Sequence, residues 1–260
     1  MPKISVITPT VRHGGLDLLT PCLNRQTFKD FEWIVATNRF DIWSTDGVKI
    51  NPKLTLMWSK PKREGDYYSL NKDWNMTFNQ ARGELIVSIV DLTWIAPDCL
   101  EKFWNHYEAN PKACISGIGH QYKEVVNGKP EVCVWRDPRD RTDQGTFYRT
   151  GHLEIELCCT SFPKQAVVDV GGIDPEFDKY AALSEKDMLH RMTKVGYECY
   201  LDQTQEYRAL HHERLSSEWE ARYQESVKYY NQCATEVIDG KRLKLNYLKN
   251  NDSIIQSAKS

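Results

Sequence analysis

Short apolar runs alternate with polar, helix-spaced segments over the first 110 residues. Ile4, Val6 and Ile7 form a run that breaks at Thr8-Pro9-Thr10. A second run, Phe31 to Ala36, ends at Thr37-Asn38-Arg39. This is the rhythm of strand, crossover helix and parallel strand, predicting strands over 4–8 and 31–37 and a helix near 15–27. Pro21 sits in that helix's first turn or breaks it. Residues 54–58 read as a third strand, 60–65 as a polar loop and 68–82 as a helix. Leu70, Trp74, Phe78 and Ala81 form its apolar face, and Gly83 is its expected stop. The nearly unbroken run Leu85 to Val90 predicts a buried central strand ending at Asp91. Pro97-Asp98 opens a further helix facing the core with Leu100, Phe103, Trp104 and Tyr107.

After Pro111 the rhythm changes. Residues 113–118 and 131–135 read as strands joined through the hairpin signal Asn127-Gly128. Residues 136–151 are polar with charges of both signs, a mobile loop that is either plainly solvated or a lid over an acceptor. Residues 155–160 and 198–201 read as strands, and 184–195 as a helix. Trp219, Tyr223, Val227, Tyr230, Ala234 and Val237 recur at three- and four-residue spacing, an amphipathic helix that packs back on the domain or on a partner. No internal repeat or low-complexity segment is present.

Composition narrows the classes. With 260 residues, 40% hydrophobic and 27% charged, the chain has enough apolar mass for one sizeable core. A net charge of -2 gives no support for nucleic-acid binding by bulk charge. No apolar run approaches a membrane span and no signal-like start is visible, so the expectation is a soluble, cytoplasmic protein. Eight cysteines lack C-x-x-C spacing, which argues against a usual zinc site and for reduced, mostly buried thiols.

In parallel α/β units, ligands bind where the strands' carboxyl ends open. Thr8-Pro9-Thr10 and Thr37-Asn38-Arg39 both belong there, and so does Asp91. A carboxylate at that edge either faces a ligand or metal, or caps a turn. Glu185 and Asp187 open the 184–195 helix. They either complement its dipole, with Ser184 as cap, or include a general base. His211 and His212 are surface histidines, or close a metal site with Asp91. Arg12, Arg39, Lys60, Lys62, Arg63 and Lys72 recur near strand ends, as surface charge or as a diphosphate-binding set. Trp135, Phe147 and Tyr148 flank the polar loop and either pack or stack on a sugar or base.

Several pieces, in order and spacing, resemble the family 2 glycosyltransferases of GT-A fold over most of residues 3–202. They are I-S-V-I-T-P-T-V-R at the start, F-E-W-I-V-A-T-N, Asn75 followed by Ala81-Arg82-Gly83-Glu84, the apolar strand to Asp91, and Pro97-Asp98-Cys99-Leu100-Glu101. Cys158–Phe162 with V-G-G-I-D-P-E-F and S-E-K-D-M-L-H-R-M-T-K-V-G-Y-E complete the set. The resemblance implies a mostly parallel, Rossmann-like α/β sheet flanked by helices. It divides the chain into a GT-A domain over 1–213, with a nucleotide-sugar half near 1–110 and an acceptor half near 111–213, and a helical extension over 214–260. It also implies inverting transfer of a sugar from a nucleotide-diphosphate sugar to a hydroxyl on a glycan, a lipid-linked sugar or a modified base in DNA.

Residue by residue, the resemblance has Thr8, Pro9, Thr10, Arg12, Thr37, Asn38, Arg39, Lys72, Asn75 and Asp91 bind the donor. Asp91, with His211 and His212, holds Mn2+ or Mg2+. Glu185 is the base and Asp187 a supporting acid. Three departures stand out. The family's D-x-D reads Asp91-Leu92-Thr93, so metal affinity is lowered or the metal dispensable. The paired aspartates expected after the second strand read Thr37-Asn38, leaving the nucleotide open. The usual E-D pair reads Ser184-Glu185. The single acid at Asp91 also motivates a rival, a nucleotide-sugar-binding module without catalysis. A nucleotidyltransferase is disfavoured, since Thr8-Pro9-Thr10 stands where a glycine-rich loop is required. The extension helix is a possible dimer contact.

Overall fold

A computed structural model describes residues 1–44, 47–141, 145–211 and 218–248. Strands β1 (Ile4–Thr10), β2 (Phe31–Thr37), β3 (Lys53–Trp58) and β4 (Leu85–Ile89) are parallel, in the order β3-β2-β1-β4. The sheet continues through β9 (Cys159–Pro163), β6 (Ala113–Val126), β10 (Glu198–Leu210) and β5 (Thr93–Ile95). Two further strands, β7 (Lys129–Trp135) and β8 (Phe147–Thr150), pair with β6 and β10. The chain is thus α/β with a GT-A-like central sheet, parallel through its N-terminal half and mixed beyond it. Because β9 is antiparallel to both β4 and β6, the carboxyl ends of β6 and β10 open at the same edge as those of β1 to β4.

Alternation divides the core between two faces. Ile4 and Val6 of β1 pack with Leu19 of α1 (Leu19–Asn24) and with Leu100 and Phe103 of α3 (Cys99–Ala109). Ile7, Ile34 and Ile86 face the other way. They meet Trp74 and Phe78 of α2 (Leu70–Gln80), Val167 of α4 (Lys164–Val170), and Leu189 and Met192 of α5 (Ser184–Lys194). A strand buried on both faces needs apolar residues on both, and the polar exceptions Ser5 and Glu32 bond to each other across β1 and β2. All eight cysteines are free thiols. Among the described residues no helix is long and apolar enough to cross a membrane.

The structure corrects several expected elements. The helix near 15–27 is only α1, preceded by turns that fold over the end of β4. Gly83 does not stop α2, whose cap is Ala81. It lies instead against β1, where a Cβ would come within 2.6 Å of the Ile4 and Ser5 backbone. Ser184 does not cap α5; that position falls to Leu183, in the left-handed region at φ 74°. The expected strand 155–160 starts later, as β9. The short strand expected at 198–201 runs on to Leu210, gaining pairs with β6 past an irregularity between Asp202 and Glu206. The hairpin signal holds, with Asn127 and Gly128 both at positive φ.

The loop expected to be mobile over 136–151 is anchored at both ends. Asp137 and Arg139 are buried and ion-paired, and β8 occupies its last residues. Residues 142–144 and 212–213 lie outside the described residues, as do 214–217 and 249–260 of the expected extension. Helix α6 (Trp219–Ile238) packs back on α5 through Cys233 and Val237. The segment after it bonds to α4's end, Leu245 N–H to the Val170 carbonyl at 2.9 Å.

Candidate functional site

The pairing register places the ends of β1 and β4 side by side, Ile7 opposite Ser88. Asp91 therefore emerges beside Thr10 and Arg12. The Thr10 hydroxyl donates to Asp91 Oδ2 at 2.7 Å, and the Arg12 guanidinium to Oδ1 at 2.6 Å. The Asp91 side chain is 4% exposed and that of Arg12 27%. Burying a carboxylate so deeply requires such partners. The turn after β1 closes over them. Gly15 fits because a Cβ there would press on Thr10 Oγ1 and Asp91 Oδ2, 2.9 and 3.0 Å away. Its carbonyl accepts from Leu92 N–H, and Leu92 turns at φ 54°.

A cavity of about 360 Å³ opens beside this cluster, lined by Pro9, Arg12, Asp91, Trp135, Glu156 and Tyr207 among others. It lies where the ends of β1, β4, β6 and β10 meet the approach to β9. Cys158, also on its wall, is pushed up to about 12 by burial, then by the charges of Glu156 and Glu185. Glu185 acts on Tyr68 as well, whose hydroxyl is raised mainly by burial. Glu156 is part of the cavity lining, whereas Glu185 lies outside that lining, close enough for its charge to act on Cys158 and Tyr68. Glu185 has weak partners, Ser184 Oγ at 3.4 Å and Lys186 Nζ at 3.8 Å. Glu156 is braced by the buried Arg139 at 3.3 Å.

The other sequence-predicted residues divide. Thr8 is interior, its hydroxyl donating to the Ile89 carbonyl and accepting from Trp33, so it supports the strand rather than a ligand. Thr37 is buried and accepts from Arg39 N–H, while Asn38 and Arg39 are exposed on the adjacent loop. Arg39 makes a forked pair with Asp41, whose hydrogen bonds hold that carboxyl well below its usual range. Asn75 spends both amide ends on the Ile173 backbone, at 2.8 and 3.0 Å, a link between α2 and the turn after α4. Lys72 pairs with Asp66 at 2.5 Å.

Asp187 is 1% exposed, faces away from the cavity lining and bonds Arg191 and Arg242. Its position explains a structural duty: Arg191 also donates to the Val170 and Gly172 carbonyls, and Arg242 to Asp174. His211 is exposed and bonded to Gln121 at 3.0 Å, and His212 lies outside the described residues. Among the described residues no group of three or more His, Cys, Asp or Glu side chains is arranged to hold a metal ion. Sequence reasoning missed Glu156. Its signal was a carboxylate between Ile155 and Leu157, both buried.

The fold is similar to solved structures of TarS from S. aureus. TarS 1–349 in complex with UDP matches at TM-score 0.55 and 14% identity, over 80% of this chain and 60% of that one. A longer TarS structure matches at TM-score 0.59 and 16% identity, over 90% of this chain and 39% of that one. This chain thus spans about 60% or less of the proteins it resembles. At such identity the likeness shows the fold, that of GT-A-like glycosyltransferases. No protein-family model matches the chain, and no curated protein sequence does.

Proposed function

We propose that this chain is an inverting, family 2-type glycosyltransferase that moves a sugar from a nucleotide-diphosphate donor to an acceptor hydroxyl in a cytoplasmic setting. The observation that carries it is the Thr10–Asp91–Arg12 cluster beside a cavity lined by Glu156, with Glu185 near its Cys158 wall, in a fold that holds UDP in TarS. Glu185 takes the acceptor proton. The acceptor oxygen then bonds to the anomeric carbon from the face opposite the diphosphate, and the bond from that carbon to the phosphate oxygen breaks. Charge gathers on the departing diphosphate, and Arg12 stands beside it. A charge pair about 4 Å apart interacts by roughly 4 kcal/mol at an effective dielectric near 20. Realised only in the transition state, that is about 10³-fold in rate.

The divalent ion implied by the resemblance does not fit these residues. Asp91 is the one carboxylate at the β4 end, and both its oxygens are committed, to Thr10 and Arg12. A hard cation of this kind takes about six oxygen ligands. In this reading the diphosphate charge falls to Arg12.

The test uses UDP and UDP-glucose. Glu185→Gln is expected to keep UDP affinity within about twofold and to slow release of glucose from UDP-glucose about 10²-fold or more. Hydrolysis at the wild-type rate removes Glu185 as base. A wild-type chain that binds UDP-glucose and never turns it over is the silent binding module instead, which the single acid of Asp91-Leu92-Thr93 favours.

A further inference from the structure

Glu156 lines the cavity and Glu185 stands near its Cys158 wall, and their surroundings suit different tasks. Among the described residues Glu185 is bonded to no arginine, which leaves its carboxylate open to accept a proton. Glu156 is held by Arg139, whose guanidinium is in turn fixed on Asp137 Oδ1 at 2.8 Å and on the Glu154 carbonyl at 2.6 Å. Asp137 accepts from Gly119 N–H midway along β6, and Gly119 lines the cavity, so the brace reaches its wall. Arg139 fixes the half-exposed Glu156 carboxylate in place as a hydrogen-bond acceptor. The buried neighbours Ile155 and Leu157 turn it outward. Its Oε2 takes Arg139, and Oε1 accepts nothing from the described residues. Trp135, 45% exposed, forms part of the same lining and offers an indole face of the kind sugar rings stack on.

We infer that Glu156, positioned by Arg139, binds hydroxyl groups of an uncharged donor sugar in this cavity and disfavours a uronic acid; this rests on the nucleotide-sugar reading above. A sugar carboxylate would arrive beside Asp91 and Glu156, where Arg12 and Arg139 are already paired. Titration calorimetry with UDP, GDP and dTDP, and with the glucose ester of each, separates the two claims. Binding of none of them by the wild-type chain overturns the nucleotide-sugar reading itself. With a nucleotide that binds, the glucose ester is expected to bind about tenfold or more tighter than the bare nucleotide, the worth of one charged hydrogen bond. Glu156→Gln is expected to lose most of that gain while holding the bare nucleotide as the wild type does. The glucuronic acid ester is expected to bind the wild type about tenfold more weakly than the glucose ester, and Glu156→Gln to narrow that gap. No gain from glucose in the wild type, a gain unchanged in Glu156→Gln, or tighter binding of the glucuronic ester each overturns the role of Glu156.

Discussion

Two buried aspartates, each paired with arginine, are put to opposite uses. Asp91 meets Arg12 at the open edge of the parallel strands, and Arg12 is partly exposed to the cavity. Asp187 meets Arg191 and Arg242 in the interior, where the three side chains are almost wholly enclosed. Every strong partner of the second cluster is protein: Arg191 spends its remaining donors on the Val170 and Gly172 carbonyls, and Arg242 reaches Asp174. The same chemical pair thus borders a cavity where one partner faces an opening, and staples the segment after α6 where neither does. An acid's place in a sequence motif does not separate the two cases. What separates them is which strand or helix end brings solvent to the arginine.

The largest expected effect tests the closed pair. Arg191→Met leaves Asp187 partly uncompensated in the interior, a change that costs about 3–5 kcal/mol. For a chain of this size that lowers the melting temperature by about 10 °C. Below that temperature the folded variant is expected to bind UDP as the wild type does. Weakened UDP binding with unchanged melting would place the Asp187 cluster in the site and erase the contrast.

The open pair is expected to respond the other way. Arg12→Met removes the cation at the cavity, so UDP should bind about 10- to 100-fold more weakly, as expected for loss of a charge-assisted contact to phosphate. Because Arg12 is partly exposed and Asp91 keeps its Thr10 bond, melting should fall by less than in Arg191→Met. Titration calorimetry and a melting curve on one preparation check both halves. Unchanged UDP affinity would show that Arg12 merely seats Asp91.

How far the sequence carried this contrast depends on the kind of element. Strands β1, β2 and β4 were legible because a strand buried on both faces must be a mostly apolar run, and Ile4, Phe31 and Leu85 each begin one. The edge holding Asp91 followed from that. The second half was less legible. Half-covered antiparallel strands carry weaker patterns, and the extension of β10 past Leu201 depends on pairing with β6, which no local run announces. Glu156 and Arg139 were hidden for a related reason. Their meeting brings together a polar loop and the approach to β9, 17 residues apart, and Arg139 is buried only because Asp137 and Glu156 neutralise it there. Motif reading joined Glu185 with Asp187 by sequence spacing, but a helix turns about 200° in two residues, so the two side chains leave on opposite faces.

Asp73 supplies the third case, a closed acid with no cation bonded to it, and the smallest expected effect. It is 1% exposed, and among the described residues its side chain accepts only a long bond from Ser59 Oγ at 3.3 Å, leaving Oδ1 without a partner. Burial, with the Asp178 charge adding to it, pushes its carboxyl up to about 7. Seven residues earlier, in the loop before α2, Asp66 goes the other way: burial raises it, but Arg63 and Lys72 more than offset this and hold it below its usual value. The signs follow from linkage. Asp73 binds its proton more tightly folded than unfolded, where an aspartate titrates near about 3.9. Its contribution is therefore fully present below about pH 4 and is lost as pH rises through about 7. Asp66 contributes above its unfolded value, and that contribution is lost as pH falls through its lowered folded value. Asp73→Asn keeps the shape and removes the titration. It should match the wild type near pH 4 and exceed it at pH 8, by about 1 kcal/mol or more, in urea unfolding followed at both pH values. Equal stability gains at both pH values would mean that Asp73 stays charged in the fold, and that a closed acid here needs no arginine at all.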